Sequence, residues 1–145
     1  MAIPCLPPSP CGADERSAVN GRWVSGPGRA LFDAVEEALG GLPFVAEDLG
    51  LITPDVLALR DELGLPGMAV LQFAFPPSPR SLFLPHFHTR NLVVYTGTHD
   101  NNTTLGWWLE DAGEEERNLF LRYASSDGRE VHWDMIRLAL ASVAD

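Results

Sequence analysis

The chain has 145 residues, 46% of them hydrophobic and 21% charged, the size and make-up of about one ordinary globular domain. Its 20 acidic residues against 10 basic ones give a formal net charge of −10, a field that repels phosphate backbones and anionic lipid surfaces. No nucleic acid and no membrane are therefore expected as partners.

Residues 1–17 read as an irregular Pro-rich leader, because Pro4, Pro7, Pro8 and Pro10 remove backbone donors and fix φ. The leader has no basic n-region, and no run in the chain approaches ~18 apolar residues; a cytoplasmic protein is expected. Cys5 and Cys11, the two cysteines, would close only a tiny loop, which a disulfide stabilises little, so they read as reduced thiols.

Residues 18–145 read as one segment of alternating strands and helices. Leu31, Val35, Ala38 and Leu39 recur at helical spacing and Gly40-Gly41 stops the run. Pro43-Phe44-Val45-Ala46 is a short apolar run, a first strand, ending in Glu47-Asp48. Thr53 as N-cap and Pro54 at the first helical position open a second helix with a stripe of Val56, Leu59 and Leu63 and a stop at Gly64. The run 68–75, MAVLQFAF, is too continuous for a strand with one wet face and predicts a strand covered on both sides. Residues 76–90 read as loop, Leu92–Thr96 as a third strand, and 104–111, 114–124 and 130–143 as helices. Starts near 43, 68 and 92 match the repeat length of a (β/α)8 barrel. The expected fold is therefore α/β, a partial TIM barrel of about three parallel strands with flanking helices.

In such sheets the reactive groups sit where strands end and loops begin. Glu47 and Asp100 hold that position on the first and third strands, and the spacing predicts that both face one crevice. Two facing carboxylates suit work on a glycosidic bond: like charge and partial burial keep one protonated as a donor while the other stays ionised. The competing reading is helix capping, in which the oxygens of Glu47-Asp48 and Asp100-Asn101-Asn102 accept from free backbone N–H groups. His86 and His88 lie two apart, as metal ligands can, but no Cys or second carboxylate cluster accompanies them, so no metal is expected.

Residues 43–75 and 91–108 contain AEDLGLITP and YTGTHDN, and in these motifs the chain resembles the 4-α-glucanotransferases known as amylomaltases or disproportionating enzymes. The run Asn20–Val24 with Gly26-Pro27-Gly28 is similar as well. The resemblance implies a fragment of the catalytic barrel and a retaining transfer of α-1,4-glucan segments between maltooligosaccharides, with starch- or glycogen-derived α-glucans as substrates and no cofactor. It implies Glu47 as general acid/base, Asp100 as the carboxylate that stabilises the transition state, and His99, Asn101 and Asp48 as substrate-binding residues. Trp23, Trp107 and Trp108 are candidate sugar platforms.

The departures are specific. The family's nucleophilic aspartate lies in an Arg-x-Asp-His pattern, which this sequence lacks, and Asn102 stands where the family commonly has aspartate. The alternatives are a fragment completed by a complementary barrel fragment, and an inactive truncated remnant that is at most a carbohydrate-binding module. Strands cut from a barrel expose unpaired edges and apolar faces, so association or poor solubility of the isolated chain is expected.

Overall fold

The computed structural model describes residues 2–4, 23–50, 52–76 and 81–144. Both cysteines and most of the leader lie outside these residues. The chain divides into two compact units, Met1–Phe44 with Ile52–Leu63, and Val45–Leu51 with Gly64–Asp145.

In the first unit β1 (Ala2–Pro4) pairs antiparallel with β2 (Trp23–Ser25). A strand thus stands within the leader that the proline content predicts to be irregular. It stops at Pro4, and a proline cannot donate to a ladder. Helix α1 (Arg29–Leu39) ends at Gly40, whose φ of 75° is the left-handed stop expected of a glycine. Its inward residues are Phe32 and Val35, whereas Leu31 and Leu39 are exposed. The expected stripe is therefore rotated by about one residue, because Phe32 packs edge-on against Phe44 with ring centroids 6.1 Å apart. Helix α2 (Pro54–Glu62) begins with Pro54 as expected, and Gly64 follows it at a φ of 65°. Arg29 bridges Asp33 at 2.9 Å on its own helix and Glu62 of α2 at 2.7 Å.

The second unit is built on two parallel strands, β3 (Gly67–Val70) and β4 (Leu92–Tyr95), in the register Gly67↔Leu92 through Val70↔Tyr95. The first strand expected at 43–46 is not formed. Phe44 N–H donates to Leu42 O at 2.8 Å and Asp48 N–H to Ala46 O at 3.0 Å, so alternate donors are spent on tight local turns. One ladder-like bond remains, Ala46 N to Pro66 O at 2.8 Å, and Pro66 has no N–H to return.

The apolar run 68–75 is also not all strand. It leaves the sheet at Val70 and coils into a 3-10 turn, Leu71–Phe73, which drives Leu71, Ala74 and Phe75 into the core. A second such turn, Pro85–Phe87, lies in the segment expected to be loop. Beyond β4, α3 (Thr104–Gly106) opens with Thr103 Oγ1 accepting from Gly106 N and continues into a wide π-turn, Trp107–Asp111. The turn closes through Ala112 N to Trp107 O at 2.7 Å.

Helix α4 (Glu114–Ala124) matches its predicted span, with three glutamates on its positive end and Glu116 Oε2 accepting from Gly113 N at 2.8 Å. Helix α5 (Val131–Leu140) is shorter than predicted. The core lies where these pieces meet: Phe75 against Phe120 at 5.1 Å, with Trp107, Val131 and Met135 around them.

Candidate functional site

The site is built on two chain segments of the second unit. Residues 45–48 run past the beginning of β3, held by Ala46 N–H and by the Asp48 side chain, whose Oδ1 accepts from Met68 N at 2.9 Å. The Asp48 carboxylate lies so close over Gly67 that a Cβ there would stand 2.5 Å from Oδ2. Gly67 is thus the residue that admits the hook. The second segment is the loop after β4. Asn101 Oδ1 accepts from Thr98 N and from Thr98 Oγ1, both at 2.9 Å, and Asp100 N–H donates to Thr98 Oγ1 at 3.3 Å. These are the side-chain-to-backbone bonds that Asn and Thr make in turns, and they fold the loop into a tight tip.

Between the two segments opens a cleft of ≈ 330 Å³ lined by Val45, Glu47, Met68, Tyr95, Thr98 and His99. That volume falls at the lower end of the range of about 300–1,000 Å³ usual for small-molecule sites. The structure brings Glu47 and His99 together on its walls. Asp100 does not line it; it stands beside His99, with Nε2 3.4 Å from Asp100 Oδ1, and both side chains are largely exposed, 88% and 73%. The contact becomes an ion pair when the imidazole is protonated.

Glu47 is expected at the end of a first strand at 43–46; that strand is not formed, and Glu47 lines the cleft with Met68 of β3. This follows from the Asp48 hook on Met68 N, which sets the stagger between the segments. Asp48 and Asn101 are both committed to holding backbone. Four of the six lining residues, Val45, Met68, Tyr95 and Thr98, are not among the candidate site residues read from the sequence. Tyr95 is the last residue of β4, so its place at the strand end is the signal that marks it.

The tryptophans divide. Trp107 is 5% exposed and packs in the core, with its ring 6.0 Å from that of Phe120, so it offers no platform to a sugar. Trp108 is half-buried against Phe120 at 5.8 Å, with the Arg117 guanidinium 5.6 Å above its ring. The side chain of Trp23 lies outside the described residues. The two neighbouring histidines have protein partners: His86 Nδ1 meets Tyr123 OH at 2.9 Å, His88 Nε2 meets Phe83 O at 2.9 Å and His88 Nδ1 meets Ser142 Oγ at 2.7 Å. A carbonyl only accepts, so His88 Nε2 is the donor in that bond. Among the described residues no group of three or more His, Cys, Asp or Glu could hold a metal ion, and no helix is long and apolar enough to cross a membrane.

Comparison with known proteins agrees with the motifs. The family model described as 4-alpha-glucanotransferase matches residues 5–145, so the likeness extends into the leader that its motifs leave unassigned. A 4-alpha-glucanotransferase of Thermus thermophilus is 49% identical over 136 residues, covering 88% of this chain and 27% of the relative. The chloroplastic/amyloplastic 4-alpha-glucanotransferase of Solanum tuberosum is 48% identical over 133 residues, covering 91% and 23%. An amylomaltase from Streptococcus agalactiae, solved in complex with acarbose, superposes with a TM-score of 0.81 at 34% identity, covering 91% of this chain and 27% of that one. The chain thus spans about a quarter of the length of the relatives it matches. Over that quarter, in motif, in sequence and in backbone, it belongs to the 4-alpha-glucanotransferase family.

Proposed function

We propose that this chain supplies the acid/base half of a retaining 4-α-glucanotransferase site, acting on maltooligosaccharides and on starch- or glycogen-derived α-glucans. One observation carries the reading: Glu47 lines a sugar-sized cleft together with His99, and Asp100 stands at that histidine's side. In the proposed enzyme β3 and β4 are two strands of a (β/α)8 barrel, and a complementary barrel fragment supplies the rest in a cytoplasmic setting.

The roles follow from the chemistry. Protonated Glu47 gives its proton to the glycosidic oxygen as the C1–O bond breaks. A carboxylate from the complementary fragment, in the Arg-x-Asp-His pattern absent here, takes C1 as a covalent glycosyl ester. Asp100 stabilises the positive charge that the ring carries in both transition states. Glu47, now ionised, removes the proton from the 4-hydroxyl of a second glucan, which attacks C1 and expels the enzyme carboxylate. His99 holds sugar hydroxyls, Asn101 contributes to binding by shaping the loop that carries His99, and Asp48 by fixing the segment that carries Glu47. No step calls for a cofactor.

The test is incubation with maltotriose. The chain alone releases no glucose; mixed with the complementary fragment from a relative, it yields glucose together with longer oligosaccharides, and Glu47→Gln sharply lowers the rate of that yield. Sugar binding without transfer in the mixture would favour the second reading, a non-catalytic carbohydrate-binding remnant. The missing Arg-x-Asp-His pattern is what keeps that reading in view. Transfer undiminished by Glu47→Gln would overturn the assignment of the acid.

A further inference from the structure

We infer that Gln72 is a positioning residue that clamps the His99-Asp100 loop onto the sheet, an inference that rests on the reading above for its consequence in catalysis. Gln72 is the polar residue in an otherwise apolar run and is 5% exposed. A buried amide is costly unless its hydrogen bonds are made. Here the side-chain Nε2 and the backbone N–H both donate to the loop.

Gln72 N–H donates to Thr96 O at 3.3 Å, carrying the parallel ladder one step past Val70↔Tyr95. Its side-chain Nε2 donates to Asn102 O at 2.9 Å. One residue therefore holds the loop at its entrance and at its exit, with His99 and Asp100 between. The bonds from Asn101 to Thr98 shape the tip from within, but they join loop to loop and fix nothing relative to the sheet.

Gly97 completes the device. A Cβ at this position would stand 2.6 Å from Gln72 Nε2, so the amide passes beneath the loop only because residue 97 has no side chain. Asn102 bonds through its carbonyl, which makes the clamp independent of which side chain stands at 102. A transition-state-stabilising charge loses much of its effect when displaced by about 1 Å, so the clamp matters to Asp100 even though it touches no sugar.

The experiment measures backbone order of residues 97–102 by 15N relaxation in the full chain, alongside the affinity for maltotriose with the complementary fragment present. Gln72→Met keeps the volume and removes the donor; the order parameters are expected to fall from about 0.85 to below about 0.6, while amides of β3 and β4 stay protected and maltotriose affinity drops at least fivefold. Gln72→Glu gives a readout that packing alone would not move. A protonated carboxyl donates to Asn102 O and an ionised one cannot, so the loop is ordered at low pH and loosens as pH rises, whereas the parent protein shows no such change over the same range.

An ordered loop in Gln72→Met, or in Gln72→Glu at high pH, overturns the inference whatever the sugar does. A loosened loop in a protein that, even with the complementary fragment present, binds no maltotriose before or after the change supports the clamp and removes the glucan reading. Should Gln72→Met fail to fold, Gly97→Ala, which pushes the amide aside, decides by the same measurement.

Discussion

The Asp48 carboxylate takes the hydrogen bond from Met68 N–H, at 2.9 Å, that a neighbouring strand would otherwise accept. A side chain thus stands in for a ladder partner along the edge of β3, and it does so one residue after Glu47. The bond ties the placement of the proposed acid to a backbone amide of the sheet.

That hook predicts a coupled pair. Asp48→Ala leaves Met68 N–H without its acceptor and should cost about 1–3 kcal/mol, read as a shift of the urea midpoint. Gly67→Ala forces the carboxylate off its seat, at a cost of about 1–3 kcal/mol. In the double variant the second cost should largely vanish, because no carboxylate is left to meet the new methyl. A coupling energy near zero in the double-mutant cycle would mean the two residues act separately.

Transfer activity, measured with the complementary fragment present, separates the two carboxylates. Glu47→Gln removes a proton donor and should lower kcat by about 10²–10⁴-fold. Asp100→Asn should also lower kcat, by about 10²–10³-fold as for loss of one electrostatic stabiliser, with a smaller change in KM. An Asp100→Asn protein that altered KM alone would make Asp100 a binding residue.

The aromatic core of the second unit is the place where a deletion should be most damaging. Phe75 is fully buried and meets Phe120 at 5.1 Å, Tyr123 at 5.9 Å and Trp107 at 6.3 Å. Phe75→Ala should cost about 3–5 kcal/mol, measured by chemical denaturation. Phe73 is exposed, so Phe73→Ala should cost far less, although it is two residues away in the same apolar run.

A pH effect is expected at the start of α2. The Thr53 side chain hydrogen-bonds the Asp55 carboxylate and, with backbone N–H groups of the first turn, holds its pKa below the ordinary value. The folded state therefore prefers the ionised form. The contribution is present above the unfolded-state pKa and is lost as pH falls through the depressed one. In Thr53→Val the Asp55 carboxyl, followed by NMR, should titrate at higher pH than in the parent protein; an unchanged midpoint would assign the depression to the backbone.

Apolar side chains exposed on the described elements, Leu39, Leu82, Leu109, Trp133 and Leu140 among them, predict association of the isolated chain. Sedimentation velocity should show a mean mass that rises with concentration. Addition of the complementary fragment should reverse it.

Much of this protein was legible in its residues taken in order. Gly40 and Gly64 mark helix ends, Pro54 marks a helix start, and Glu114–Glu116 mark the positive end of α4, because caps, φ restrictions and dipole effects act within a turn of the chain. The motifs around Glu47 and His99-Asp100 were likewise enough for the family. Three things needed the tertiary structure. The run at 43–46 has the composition of a strand, yet strand formation depends on a partner's donors, and the partner offers Pro66. The run at 68–75 turns out of the strand after Val70 into a 3-10 turn, and beyond it Phe75 packs against Phe120, Tyr123 and Trp107. Glu47 shares a cleft with Tyr95 and His99 because Asp48 reaches Met68 from 20 residues away. Local chemistry decides where elements begin and stop, whereas pairing, burial and the meeting of distant side chains depend on what the rest of the chain presents.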